Sequence, residues 1–155
     1  MGRWTGGTRI LRIMQIHADG PDEASRRRIT SGLTNGDVTG AVIGAFYSVY
    51  NELRYGFLES VYASALEWEF MERGIPYVRE HSLEVRYKSR LVGMYRADFL
   101  VAARVVVEVK ASRCLVDADK RQLLHYLRGT NQEIGLLLHF GPKAEFHRVV
   151  CSRTE

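Results

Sequence analysis

The sequence has no stretch approaching the ~20 consecutive apolar residues that a helix needs to cross a bilayer, which excludes a helical membrane span. Cysteine is scarce. Cys114 and Cys151 are the two present, with no CxxC spacing, which excludes a disulfide-stapled scaffold. The N-terminus has no apolar core followed by a small-residue cleavage site, so an intracellular, cytoplasmic location is expected. The five histidines (His17, His81, His125, His139 and His147) show no HxxxH spacing, and zinc is not expected. Neither a phosphate-binding loop nor a dinucleotide fingerprint is present, so a small-molecule binder ranks last among the functional readings.

What is present is an ordinary globular composition. The 155 residues are 46% hydrophobic and 26% charged, which suits one domain with a sizeable core. The net charge of +4 is concentrated at one end. Residues 1–34 carry Arg3, Arg9, Arg12, Arg26, Arg27 and Arg28 against Asp19, Asp22 and Glu23, a local +3 that leaves +1 for the remainder. The basic excess therefore does not by itself assign nucleic-acid binding to the folded body. Residues 1–36 read as a poorly ordered extension rich in Gly, Thr, Ser, Asp and Arg. Within it, the alternating run Ile10–Ile16 is ended by Asp19-Gly20-Pro21-Asp22, and Arg26-Arg27-Arg28 reads as a solvated charge run.

From Asp37 the pattern becomes helical. Asp37 is the expected N-cap, and Val38, Ala41, Val42, Ala45, Phe46, Val49 and Leu53 follow at steps of three and four. A second helix is expected over Phe57–Arg73, stopped by Gly74 and Pro76. Strand patterns then cover Tyr77–Lys88, Val92–Ala102 and Arg104–Lys110. A helix fits Asp117–Arg128, and two more strands fit Ile134–Phe140 and Phe146–Cys151. The order α-α-β-β-β-α-β-β, with no internal repeat or linker over 37–151, gives one α/β domain with a mixed central sheet flanked by helices.

Three acids sit where the pattern asks for apolar residues. Glu108 and Lys110 are two apart on the third strand, on the face of Val106 and opposite Val105, Val107 and Val109. A carboxylate and an ammonium near the end of a covered valine strand are costly unless paired, metal-bound or in a cleft. Asp98 lies in the preceding strand, and a hairpin would bring it beside Glu108. Glu59 falls between Leu66 and Phe70 around the second helix, on its packing face; its plain reading is a buried stem with a wet head. Gln122 and Tyr126 share one face of the next helix. Arg86, Lys88 and Arg90 alternate along a strand and turn; a wet face is the plain reading and a grip on phosphates the sharper one.

Asp98 followed by Glu108-Val109-Lys110, in an α-β-β-β-α-β order, resembles the PD-(D/E)XK (restriction-endonuclease-like) nuclease superfamily. Gln122-Leu123-Leu124-His125-Tyr126 resembles the QxxxY element of its exonuclease-like branches. More narrowly, Gly56-Phe57-Leu58-Glu59-Ser60-Val61-Tyr62, Gly93–Asp98 and Gly135–Gly141 resemble the small bacterial GxxExxR proteins, over about Val38 to Val150. Ala97 stands where the superfamily motif has proline, and Tyr62 where the family name has arginine.

The resemblance implies phosphodiester hydrolysis assisted by Mg²⁺ or Mn²⁺, in DNA rather than RNA. It implies that Asp98, Glu108, the Val109 carbonyl and Glu59 hold the ion through hard oxygens. Lys110 would orient water and offset developing charge, and Gln122 would place Lys110 or the water. Tyr126 and Arg96 would contact substrate. The alternative is a nucleic-acid- or partner-binding module that keeps the fold without efficient turnover. Small size and a weakly charged body fit a protein that works as a homo-oligomer or with a protein partner.

Overall fold

The structure, a computed structural model, describes residues 34–152. Residues 1–33, which include the Ile10–Ile16 run and Arg26–Arg28, lie outside the described residues. The first helix, α1 (Asn35–Leu53), starts two residues before the expected Asp37. Thr34 is its N-cap. The Thr34 side chain accepts from the Asp37 backbone N–H at 3.2 Å, and the Asp37 carboxylate accepts from the Thr34 N–H at 2.8 Å. Asp37 therefore closes a capping box from the third helical position, a role a lone acid does not reveal in sequence.

Then follow α2 (Glu59–Glu72), β1 (Tyr77–Tyr87), β2 (Arg90–Val101), β3 (Val105–Lys110), α3 (Asp117–Gly129), β4 (Ile134–Phe140) and β5 (Ala144–Val150). The strands form one sheet in the order β1-β2-β3-β4-β5. Only the β3–β4 pair is parallel, because α3 intervenes as a crossover; the other neighbours are antiparallel. The sheet is mixed and flanked by helices, as the element order requires.

β3 is the middle strand, and its alternation splits the core in two. Val105, Val107 and Val109 join the cluster built by α1 and α2 with Phe46, Leu66, Phe70 and Phe140. Val106 joins the opposite cluster, with Leu123 and Leu127 of α3 and Leu137 of β4. Both faces of β3 are thus dry, which places Glu108 and Lys110 on the α3 face at the strand's end.

Tyr62 occupies the position where an arginine was expected from the resemblance, and it is a core residue. It is fully buried and stacks on Phe140 with ring centroids 4.1 Å apart. Its hydroxyl donates to the Arg54 carbonyl at 2.5 Å and accepts from the Phe57 N–H at 3.2 Å. Gly56, at φ 128°, turns the chain in a conformation that a side chain would oppose. Together they fix where α2 begins, and so where Glu59 stands.

Candidate active site

Pairing between β2 and β3 stops at Phe99↔Val107. Below that pair the backbones are joined through side chains. Asp98 Oδ2 accepts from the Val109 N–H at 2.7 Å, and Glu108 Oε1 accepts from the Asp98 N–H at 3.4 Å. The β1–β2 register also skips the level of Glu80 and Asp98, and Glu80 has a left-handed φ of 52°. Ala97 and Leu100 both enter the α3-side cluster although three residues apart, so the alternation of β2 slips at Asp98 and Phe99. An irregularity of this kind re-aims a side chain, and here it opens the sheet where the two carboxylates meet.

Glu59 arrives from the other face. It is exposed at the first position of α2, where the positive end of the helix favours a carboxylate, rather than inside the packing stripe. Its Oε1 accepts from the Ala111 N–H at 3.3 Å. Three acids thus each lend one oxygen to a backbone N–H at residues 98, 109 and 111. Glu59 and Asp98 also line one cleft of about 180 Å³, with Ser60, Ala63, Arg79 and Glu80.

Burial raises the pKa of Glu108 to about 7; the Asp98 charge adds to the rise, while a hydrogen bond from Tyr95 and the Lys110 ammonium oppose it. Asp98 is raised mainly by burial and also by Glu59; the Val109 N–H, Lys110 and Arg79 pull it back. Lys110 is half-buried and close enough to act on both acids.

Tyr95 is the residue that sequence reasoning missed. Its hydroxyl donates to the Glu108 carboxylate, and burial together with that charge holds the phenol well above its ordinary range. Its ring stacks on Tyr126, with centroids 3.3 Å apart and planes 7° from parallel. Gln122 Nε2 in turn donates to the Tyr126 hydroxyl at 2.9 Å, rather than to Lys110. Gln122 and Tyr126 therefore connect to Glu108 through Tyr95, and they line a shallow hollow of about 300 Å³ with Ala118, Arg121 and His125. No spacing in the sequence signals this, because the partner acid lies on the neighbouring strand and the stacked ring on α3. Tyr95→Phe should keep the stack and raise the Glu108 pKa above about 7, since the opposing hydrogen bond is removed; carboxyl ¹³C NMR titration measures it.

Arg96 does not enter the cleft. It is exposed on the rim, 3.8 Å from Glu80. Arg79, by contrast, lines the cleft and is held by Glu67 and by Ser64 Oγ. His139 is buried in β4 in register with Lys110, and its Nε2 lies 2.9 Å from the Ser112 carbonyl, pinning the loop that follows β3. A Cβ on Gly141 would come within 2.4 Å of the His139 ring. Gly141→Ala should therefore cost about 1–3 kcal/mol in urea unfolding.

Among the described residues, no group of three His, Cys, Asp or Glu side chains is placed to hold a metal ion. The donor chemistry nonetheless fits a hard divalent cation. Asp98, Glu108 and Glu59 are oxygen donors, and Asp98 and Glu108 are half-buried and repel one another, a cost that a bound cation would offset.

A family model described as PD-(D/E)XK nuclease superfamily matches residues 36–149. A solved structure titled "Crystal structure of SSO0001" aligns with 59% of this chain at 22% identity and a TM-score of 0.46; the match spans about half (48%) of that chain. No curated protein matches. No helix among the described residues is long and apolar enough to cross a membrane.

Proposed function

The chain belongs to the PD-(D/E)XK nuclease superfamily, and from that premise we propose that it is a divalent-metal-dependent nuclease that hydrolyses phosphodiester bonds in DNA. The observation that carries this reading is the pair of half-buried, pKa-raised carboxylates Asp98 and Glu108 beside Lys110, where the sheet opens between β2 and β3. We place the chain with the GxxExxR proteins, with Tyr62 in the arginine position, the nuclease-like domain over residues 37–151, and the cytoplasm as its location.

Asp98, Glu108 and Glu59, with the Val109 carbonyl, would hold Mg²⁺ or Mn²⁺. When bound there, the cation supplies Lewis acidity toward water and phosphate. Every other part is done by the chain. Lys110 donates to the attacking water and stabilises charge gathering on the phosphate oxygens, in a place where low solvent access strengthens that interaction. Tyr95 holds Glu108 by hydrogen bond, and the stack on Tyr126 holds Tyr95. Gln122 orients the Tyr126 hydroxyl, which faces substrate, and Arg96 on the rim takes a phosphate.

The test is incubation of the purified protein with labelled single- and double-stranded DNA and RNA in Mg²⁺, Mn²⁺ or EDTA. Cleavage of DNA in either metal, absent in EDTA, is the expected result. Tight binding of DNA without cleavage in any metal would replace this reading with that of a binding module on the same fold.

A further inference from the structure

β2 pairs with β1 along Arg90–Val101 but with β3 only over residues 99–101. Residues 82–87 and 90–96 therefore form a two-stranded ribbon that runs on past the rest of the sheet. Lys88 at the tip is eight residue steps from Glu80, in the cleft, a reach of roughly 26 Å at ~3.3 Å per step. One face of the ribbon leans on α3 through Leu83 and through Val85, which fills the space beside Gly129. Elsewhere the ribbon exposes large apolar side chains to water: Tyr87 at 63%, Leu91 at 51%, Val92 at 61% and Met94 at 64%.

The tip is cationic. Arg86 is bound to Glu84 and to the Ser89 carbonyl at 3.0 Å, which locks the turn. Lys88 stands 5.4 Å over the Tyr87 ring, and among the described residues neither Lys88 nor Arg90 enters an ion pair. Lys88 and Ser89 have φ of 46° and 65°, the left-handed pair that a two-residue hairpin loop demands. Glycine and asparagine meet that demand more easily. A lysine there puts an ammonium at the outermost point of the turn.

Resting on the nuclease reading above, we propose that this ribbon is an arm that enters the major groove of duplex DNA held across the cleft. Lys88 and Arg90 would lie on the phosphates, and Leu91, Val92 and Met94 against sugars and base edges. A two-stranded ribbon matches the width of the B-form major groove, whereas the deep, narrow groove of A-form RNA does not admit it. A second copy of this chain is a poorer occupant, because facing ribbons would bring two sets of tip cations together, whereas phosphates offset them.

The experiment measures binding of the full chain to a 20-base-pair DNA duplex by fluorescence anisotropy, in EDTA so that no strand is cut, between about 50 and 200 mM salt. The double variant Lys88→Glu/Arg90→Glu should weaken binding at least tenfold and reduce the salt slope by about two, one for each phosphate no longer neutralised. Lys88→Gln/Arg90→Gln should weaken it less, with an unchanged melting temperature for both variants. Unchanged affinity and slope in the charge-reversed protein, with the native chain still binding, would overturn the arm alone. No binding by the native chain to any nucleic acid would overturn the arm, and together with no cleavage in Mg²⁺ or Mn²⁺ it would overturn the nuclease reading as well. An equal loss on duplex RNA would remove the major-groove assignment. A native dimer that Leu91→Lys/Met94→Lys makes monomeric would overturn the proposal in favour of self-association.

Discussion

Glu108→Gln should make the metal-free protein more stable at pH 8, by about 2–3 kcal/mol, and nearly unchanged at pH 4. The folded pKa of Glu108, about 7, lies above the ordinary glutamate value of 4.5. The native state therefore holds a proton that the unfolded chain has already released between those values, so native stability falls as pH rises through that window. Below about 4.5 both states are protonated and the penalty vanishes; above about 7 it is present in full. Glutamine keeps an oxygen for the Asp98 N–H and for the Tyr95 hydroxyl but cannot ionise, so the slope between pH 4.5 and 7 should flatten. Urea unfolding in EDTA at several pH values measures this directly. A native protein whose stability does not fall across that window would show that Glu108 is solvated rather than buried beside Asp98.

The same logic fixes the sign of the metal effect. An ion bound only by the folded state stabilises it by mass action, about 2.7 kcal/mol at a hundred times Kd. Mn²⁺ should raise the melting temperature of the native chain, and Glu108→Gln should abolish that rise while starting from a higher metal-free value. Variants of a plain structural carboxylate would lose stability without metal, which is the opposite ordering.

Lys110→Ala should lower DNA cleavage by at least about 10²-fold while keeping the Mn²⁺-dependent rise in melting temperature. The ammonium sits close to Asp98 and Glu108 but is not an oxygen donor, so it serves the charge of the reaction and not the ion. Single-turnover cleavage at saturating protein separates that loss from weakened binding. A variant that cut DNA at the native rate would remove Lys110 from the chemistry. One that lacked the thermal shift as well would instead point to collapse of the β3 end.

Much of this molecule was legible because local patterns and global packing agree. The valine run Val105–Val109 could only be a strand with both faces covered, and that fixed β3 as the middle of a mixed sheet and put Glu108 and Lys110 on one face. The period of the helices and the stop at Gly74 and Pro76 placed α1 and α2 to within a few residues. Asp98 and Glu108 could be brought together from hairpin order alone. The rest needed the third dimension, since it depends on contacts between residues far apart in sequence or on backbone angles that residue types do not encode. Asp37 belongs to a capping box whose other half is Thr34. Tyr62 stacks on Phe140, on a strand 78 residues later in the chain, and thereby sets the start of α2 under Glu59. The link from Gln122 through Tyr126 and Tyr95 to Glu108 joins α3, β2 and β3 by a ring stack that no spacing announces. The slip of β2 at Asp98, which leaves backbone N–H groups for the carboxylates to bind, accompanies Glu80's left-handed backbone on the paired strand. Side-chain alternation thus determined which acids lie near one another, and only the tertiary structure decided how they are held, because that follows from where pairing between two strands ends.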